Sequence, residues 1–161
     1  VNELTHFAHE NNIFITIETE GSHFLPTDYP INLLSISPKF SNSVPVLGVE
    51  TPQGAITDQK MIDRHNKLRL NYTAMSNMMS YHSDYHIKPV WDGVDEESLQ
   101  EILDFIKIMD VPEDKVWFMP AGDSREALFK SYPILFDWVR DNGYRMTWRP
   151  HIIAFEDQRE V

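Results

Sequence analysis

Apolar residues along this chain come in two rhythms: short blocks that suit buried strands, and longer segments in which they return every three or four positions along one helical face. Three of the short blocks, Ile13–Gly21 (IFITIETEG), Ile31–Lys39 (INLLSISPK) and Val116–Gly122 (VWFMPAG), end in small, polar, bend-prone clusters. Strands are predicted at Ile13–Glu18, Ile31–Ser37, Tyr85–Trp91 and Val116–Met119, with two further extended runs around Tyr144–Trp148 and His151–Phe155. Pro38 closes the second strand because it has no N–H to give a ladder, and Pro89 marks an edge, a bulge or a strand end in the third. Val1–Asn12 reads as a helix with Leu4, Phe7, Ala8 and Asn11 on one face and no convincing cap before it, as if entered midway. An upstream part of the natural protein is therefore expected to be missing.

A second helix starts at a Thr57 or Asp58 cap and carries Met61, Ile62, His65, Leu68, Tyr72, Met75 and Met79 as a core stripe. Asp95 caps a third, with Leu99, Ile102, Leu103, Phe105 and Ile106 turned inward. Asp123 with Glu126 makes a capping-box-like start for a fourth, which Pro133 kinks or restarts and Gly143 ends. Helix and strand alternate over most of the chain, which predicts an α/β fold with a mainly parallel sheet. The link between the first two strands is about a dozen residues long without helical period, about the minimum for a parallel crossover. Ser41–Asp58, rich in Ser, Pro and Gly, reads as a long loop of the functional or mobile kind.

With 161 residues, 42% of them hydrophobic, the chain has enough apolar surface for one core, so residues 1–161 are expected to form a single domain. Its net charge of −11 leaves no broad surface for phosphates, which directs attention to small molecules and away from nucleic acid. No run approaches the roughly 18 apolar residues of a membrane span and no signal segment opens the chain, so a soluble cytoplasmic protein is expected. The absence of cysteine removes disulfides and thiolate metal sites from these residues.

Parallel α/β folds place their chemistry at the carboxyl ends of strands, where the three clusters lie. In the first, Thr19 and Gly21 offer a hydroxyl and a bend that lets backbone approach a ligand, although a plain turn uses the same letters. In the second, Ser37, Pro38 and Lys39 bring a hydroxyl, a rigid corner and a point cation together, a cradle for a carboxylate or a solvated surface lysine after a turn. In the third, Met119, Pro120, Ala121 and Gly122 stand before a capped helix, where bare peptide groups can meet a purine edge or simply connect two elements. His82, Asp84 and His86 have the letters of a metal cluster, but their spacing straddles a change from helix to strand. Arg149 in the closing Trp-Arg-Pro-His segment can clamp an anion or pair with the acidic surface.

Taken together, IETEG, SISPK, YHIKPVW, MPAG before a capped helix and the aromatic-Arg-x-His run near the end resemble the later two-thirds of 7-carboxy-7-deazaguanine synthase. That family of radical S-adenosylmethionine lyases serves the 7-deazapurine pathway to queuosine. The resemblance implies a partial (β/α) barrel, a homodimer, and a reaction that rearranges 6-carboxy-5,6,7,8-tetrahydropterin with loss of ammonia. It also implies S-adenosylmethionine, a [4Fe-4S] cluster and Mg²⁺ as cofactors. By motif, Thr19 would contact the pterin, while Gly21, Ser37, Pro38, Lys39 and Met119, Pro120, Ala121, Gly122 would contact the cofactor.

The family's CxxxCxxC loop and its Mg²⁺ ligand have no counterpart among these residues, so no metal ligand and no catalytic acid or base is assigned here. The chain alone is accordingly expected to be inactive. His86 and Pro89 stand where the family pattern has Gln and Phe, and AFEDQREV lacks its Trp-Gly step. Two other readings stay open: a sister radical enzyme such as a glycyl-radical activase, and a non-catalytic nucleotide-binding module.

Overall fold

The computed structural model describes residues 1–51, 54–55 and 58–156, in two compact units, Val1–His86 and Ile87–Val161. In the first, helix α1 (Asn2–Glu10) leads into strand β1 (Thr16–Thr19), which pairs in parallel with β2 (Leu33–Ile36), Thr16 opposite Leu33 and Thr19 opposite Ile36. No helix lies between them, so the short crossover is borne out. Strand β5 (Tyr85–Ile87) bonds to the other side of β2, giving the order β1-β2-β5.

Several expectations are corrected in this unit. The inward face of α1 is Thr5 and Ala8, while Leu4 and Phe7 are exposed. Ser41–Asp58 is not one featureless loop, since a 3₁₀ turn at Ser41–Ser43 is followed by a two-stranded hairpin, β3 (Glu50–Thr51) with β4 (Gly54–Ala55). The long Met-bearing helix is two helices, α2 (Gln59–Leu68) and α3 (Tyr72–Tyr81). Asn71 causes the break: its side-chain oxygen accepts from the Ala74 N–H as an N-cap, and a side chain that caps a new start interrupts the helix before it. Asp58 caps α2 through the Lys60 N–H, and Thr57 lies outside the described residues. Met75 and Met78 are core beside Leu34 and Ile36, whereas Met61 at the other end of the stripe is exposed.

The second unit begins with β6 (Val90–Trp91), parallel to β7 (Trp117–Pro120), which is parallel in turn to β8 (Arg145–Met146). The run Tyr85–Trp91 is thus two strands in two sheets, divided at Lys88-Pro89, where the ladder donor is lost. Asp95 caps α4 (Glu96–Ile108) through the Ser98 N–H and hydroxyl, and that hydroxyl holds the Asp95 carboxyl below its ordinary range. Ile102, Phe105 and Ile106 are buried as expected.

Helix α5 (Arg125–Asp141) is capped by Ser124, not Asp123, and it continues through Pro133 without restarting. It ends at Gly143 (φ +75°), with the Tyr144 N–H donating to the Val139 carbonyl at 3.0 Å, the six-to-one bond of a Schellman stop. His151–Phe155 is not extended: Pro150 sits in the first turn of α6 (Pro150–Phe155), where its missing N–H costs nothing.

Candidate functional site

In the first unit, the carboxyl ends of β1 and β2 lie side by side. The Ser37 N–H donates to the Thr19 carbonyl at 2.7 Å, so one more ladder bond carries the pairing past the strands and into both polar clusters. The Thr19 hydroxyl accepts from the Gly21 N–H at 3.1 Å, and Gly21 has φ +82°. A Cβ there would come within 2.6 Å of Met75 Cγ, so the turn fits only a glycine against α3. Asn71 secures the same turn, its Nδ2 donating to the Ser22 carbonyl at 2.9 Å.

Across from it, Pro38 is buried and Lys39 is half-buried. The Lys39 peptide is held on both sides by Arg69, whose carbonyl accepts the Lys39 N–H and whose Nη1 donates to the Lys39 carbonyl, each at 3.4 Å. His65, one turn before Arg69, shares a hydrogen bond with the Ser43 hydroxyl at 3.3 Å. Burial lowers the His65 pKa, Arg69 and Lys39 lower it further, and Glu20 opposes them. Charges of both signs, Glu20 against Lys39 and Arg69, thus act on His65 near the strand ends. Sequence reading placed His65 in the core stripe and passed over Arg69. The signal was their spacing of four residues at the end of α2, which also suits a helix carboxyl terminus.

Thr19 also lines a cavity of about 520 Å³ with Ile17, Phe24, Leu34, Met78 and His82. His82 does not join Asp84 and His86 at a metal. Its Nδ1 accepts the Ile31 N–H at 3.2 Å, His86 Nε2 bonds the Ser35 hydroxyl at 2.8 Å, and Asp84 accepts the Tyr85 N–H at 2.7 Å. Burial holds the His82 pKa below 6.5. The unfolded chain therefore takes up this proton more readily, so the histidine's contribution is complete above pH 6.5 and is lost as pH falls from there toward the folded pKa. His82→Asn, whose amide oxygen can replace Nδ1 as acceptor, is expected to flatten this part of the decline. Urea midpoints of both proteins at pH 7.5 and 5.5 check it, and equal declines would contradict it.

In the second unit, the segment after β7 is bound tightly by its neighbours. The Ala121 N–H donates to the Trp91 carbonyl at 2.9 Å, and the Ser131 hydroxyl donates to the Ala121 carbonyl at 3.0 Å. Arg149 Nη1 donates to the Gly122 carbonyl at 2.6 Å. Gly122 has φ +151°, and a Cβ on it would press to 3.0 Å from the Leu128 nitrogen. Arg149 neither pairs with the acidic surface in the ordinary way nor stands in solvent: burial lowers its pKa and Asp123 opposes that shift.

The sequence-derived residues therefore fall into two groups, Thr19, Gly21, Ser37, Pro38 and Lys39 in one unit and Met119, Pro120, Ala121 and Gly122 in the other. Each group lies at the carboxyl end of parallel strands. Among the described residues, no three His, Cys, Asp or Glu side chains are grouped to hold a metal ion, and no helix is long and apolar enough to cross a membrane.

Comparison with known proteins finds relatives that carry the name of the family its motifs resemble. It is similar to the 7-carboxy-7-deazaguanine synthase of Rhodopirellula baltica, with 29% identity over 145 residues, 90% of this chain and 52% of the relative. The enzyme of that name from Halobacterium salinarum is 26% identical over 149 residues, 91% of this chain and 56% of the relative. The chain thus spans about half the length of the curated relatives it matches. No family model matches it. Among solved structures it is similar in fold to SuiB of Streptococcus suis, determined bound to S-adenosylmethionine, with a TM-score of 0.51 and 12% identity, covering 91% of this chain and 33% of that one. The α/β fold with parallel strands and no closed barrel is accordingly similar to part of that structure, in keeping with the partial barrel the motifs implied.

Proposed function

We propose that this chain is part of a 7-carboxy-7-deazaguanine synthase and supplies its binding segments for S-adenosylmethionine and the pterin. The observation that carries the reading is the parallel pairing of β1 with β2, which sets Thr19 and Gly21 beside Ser37 and Lys39 at one edge of a sheet. A zwitterionic methionine end suits the charges gathered there, the carboxylate meeting Lys39 and the ammonium meeting Glu20. Thr19 would face the 6-carboxy-5,6,7,8-tetrahydropterin, and Met119–Gly122 would seat the nucleoside.

With no cysteine among its residues, the chain has no thiolate to give an iron–sulfur cluster, and no Mg²⁺ ligand set is assigned within it. In a whole enzyme the cluster and cofactor would supply the radical chemistry, with the cluster ligands coming from outside these residues. The residues here bind and orient.

Lys39→Ala in the full-length reconstituted protein is expected to weaken S-adenosylmethionine roughly tenfold or more by calorimetry. Unchanged affinity would remove the carboxylate role. Conversion of the pterin by that protein tests the reaction itself: cofactor binding without turnover would leave a nucleotide-binding module, and cleavage of the cofactor without pterin conversion a different radical enzyme.

A further inference from the structure

Among the described residues, Arg149 holds the one buried side-chain polar atom with no hydrogen-bond partner, its Nε. A guanidinium is a rigid fork of five N–H donors, and here Nη1 is committed to the Gly122 carbonyl at 2.6 Å. Native structures rarely leave a buried donor unanswered, so such a group calls for a physical explanation. Its surroundings sharpen the point. Ala121 has already spent its N–H on Trp91 and its carbonyl on Ser131, and the Gly122 carbonyl is spent on Arg149 itself. The backbone expected to read a ligand is thus partly consumed by the fold, while a directional donor beside it is unused. Arg125 offers no equivalent, because it is exposed and its Nε donates to the Ile153 carbonyl.

We infer that Arg149 is a ligand-binding residue: its Nε–H donates to an acceptor of the nucleoside seated on Met119–Gly122, while Nη1 holds that segment in place. The inference rests on the S-adenosylmethionine binding proposed above. A nucleoside brings ring nitrogens and ribose hydroxyls, and a donor shielded from water bonds such acceptors more strongly than an exposed one does.

Arg149→Lys separates the two roles, since an ammonium can still reach the Gly122 carbonyl but has no second donor in fixed geometry. In the full-length protein, S-adenosylmethionine affinity is read by calorimetry, and thermal unfolding is read without ligand. The expected result is an unfolding temperature like that of the unaltered protein with affinity weakened roughly tenfold or more, and at least as large a loss of affinity in Arg149→Ala. Wild-type affinity in Arg149→Lys would overturn the inference, as would a fall in ligand-free stability that accounts for the lost binding. Failure of the unaltered protein to bind S-adenosylmethionine would bring down the proposed function as well, whereas the other two outcomes leave that function standing.

Discussion

Phe118→Ala is expected to cost the protein about 3 to 5 kcal/mol of stability, the usual range for emptying a buried aromatic site. Phe118 has no exposed surface and lies on β7, which is hydrogen-bonded on both sides by β6 and β8. Its ring meets Trp138 at 5.0 Å, Tyr144 at 5.3 Å and Trp91 at 6.4 Å between centroids, while Trp138 and Tyr144 stack on each other within 7°. These are bulky aromatic neighbours, Trp138 on α5, Trp91 on β6 and Tyr144 just before β8, so they cannot collapse cheaply into the vacated volume. The loss should therefore fall toward the upper part of the range. Urea unfolding measures it, with Phe129→Ala as the control: Phe129 is exposed on α5, and its removal is expected to change stability by less than about 0.5 kcal/mol. Equal losses in the two variants would mean that this aromatic cluster does not organise the unit. Because β7 runs directly into Met119–Gly122, cofactor affinity should fall along with stability in Phe118→Ala.

The parts of the fold legible in the sequence were those governed by local chemistry. Pro38 ended a strand, Asp95 capped a helix and Gly143 stopped one, each for a reason contained in a few residues. The parts misread depended on partners distant in sequence. Leu4 and Phe7 have the right spacing for a core face, yet what α1 buries is Thr5 and Ala8. Pro89 was correctly seen to trouble its strand, but the change from one sheet to another there depends on which strands lie alongside, β2 for Tyr85–Ile87 and β7 for Val90–Trp91. The three-to-four rhythm of the Met stripe continues across Asn71 almost unbroken, so periodicity alone could not report the cap that divides α2 from α3. Pro133 shows the reverse: a strong local signal for a break was overridden, with Leu128 and Leu135 buried on either side of it.

The site shows the same division. The hydroxyl, glycine and lysine at the strand ends could be found by reading, because small residues after an apolar block are visible in one dimension. The surroundings of Lys39 could not, since Arg69 lies a helix away in the chain and reaches it only through the fold. Arg149 was noticed, but what it holds, the carbonyl of Gly122, is a contact 27 residues back.

Gly21→Ala is the corresponding experiment on the first unit, with an expected cost of about 2 to 5 kcal/mol. Two effects add. A non-glycine residue in the left-handed region costs roughly 1 to 2 kcal/mol, and Gly21 sits at φ +82°. The new methyl would also lie 2.6 Å from Met75 Cγ and 2.8 Å from its Sδ, with Ile36 at 3.2 Å closing the other side. Met75 is flexible but fully buried, so yielding means repacking the core, which typically costs about 1 to 3 kcal/mol. Met75→Ala separates the two contributions. In that background the steric part disappears and Gly21→Ala should cost only the backbone share, so the double-mutant cycle should show coupling of at least about 1 kcal/mol. An unchanged cost in both backgrounds would assign the whole effect to backbone strain. Since Gly21 and Thr19 share a hydrogen bond, the same variant should also lose ligand affinity, because a turn pushed away from α3 cannot keep the Thr19 hydroxyl and the Ser37 N–H on the same peptide edge.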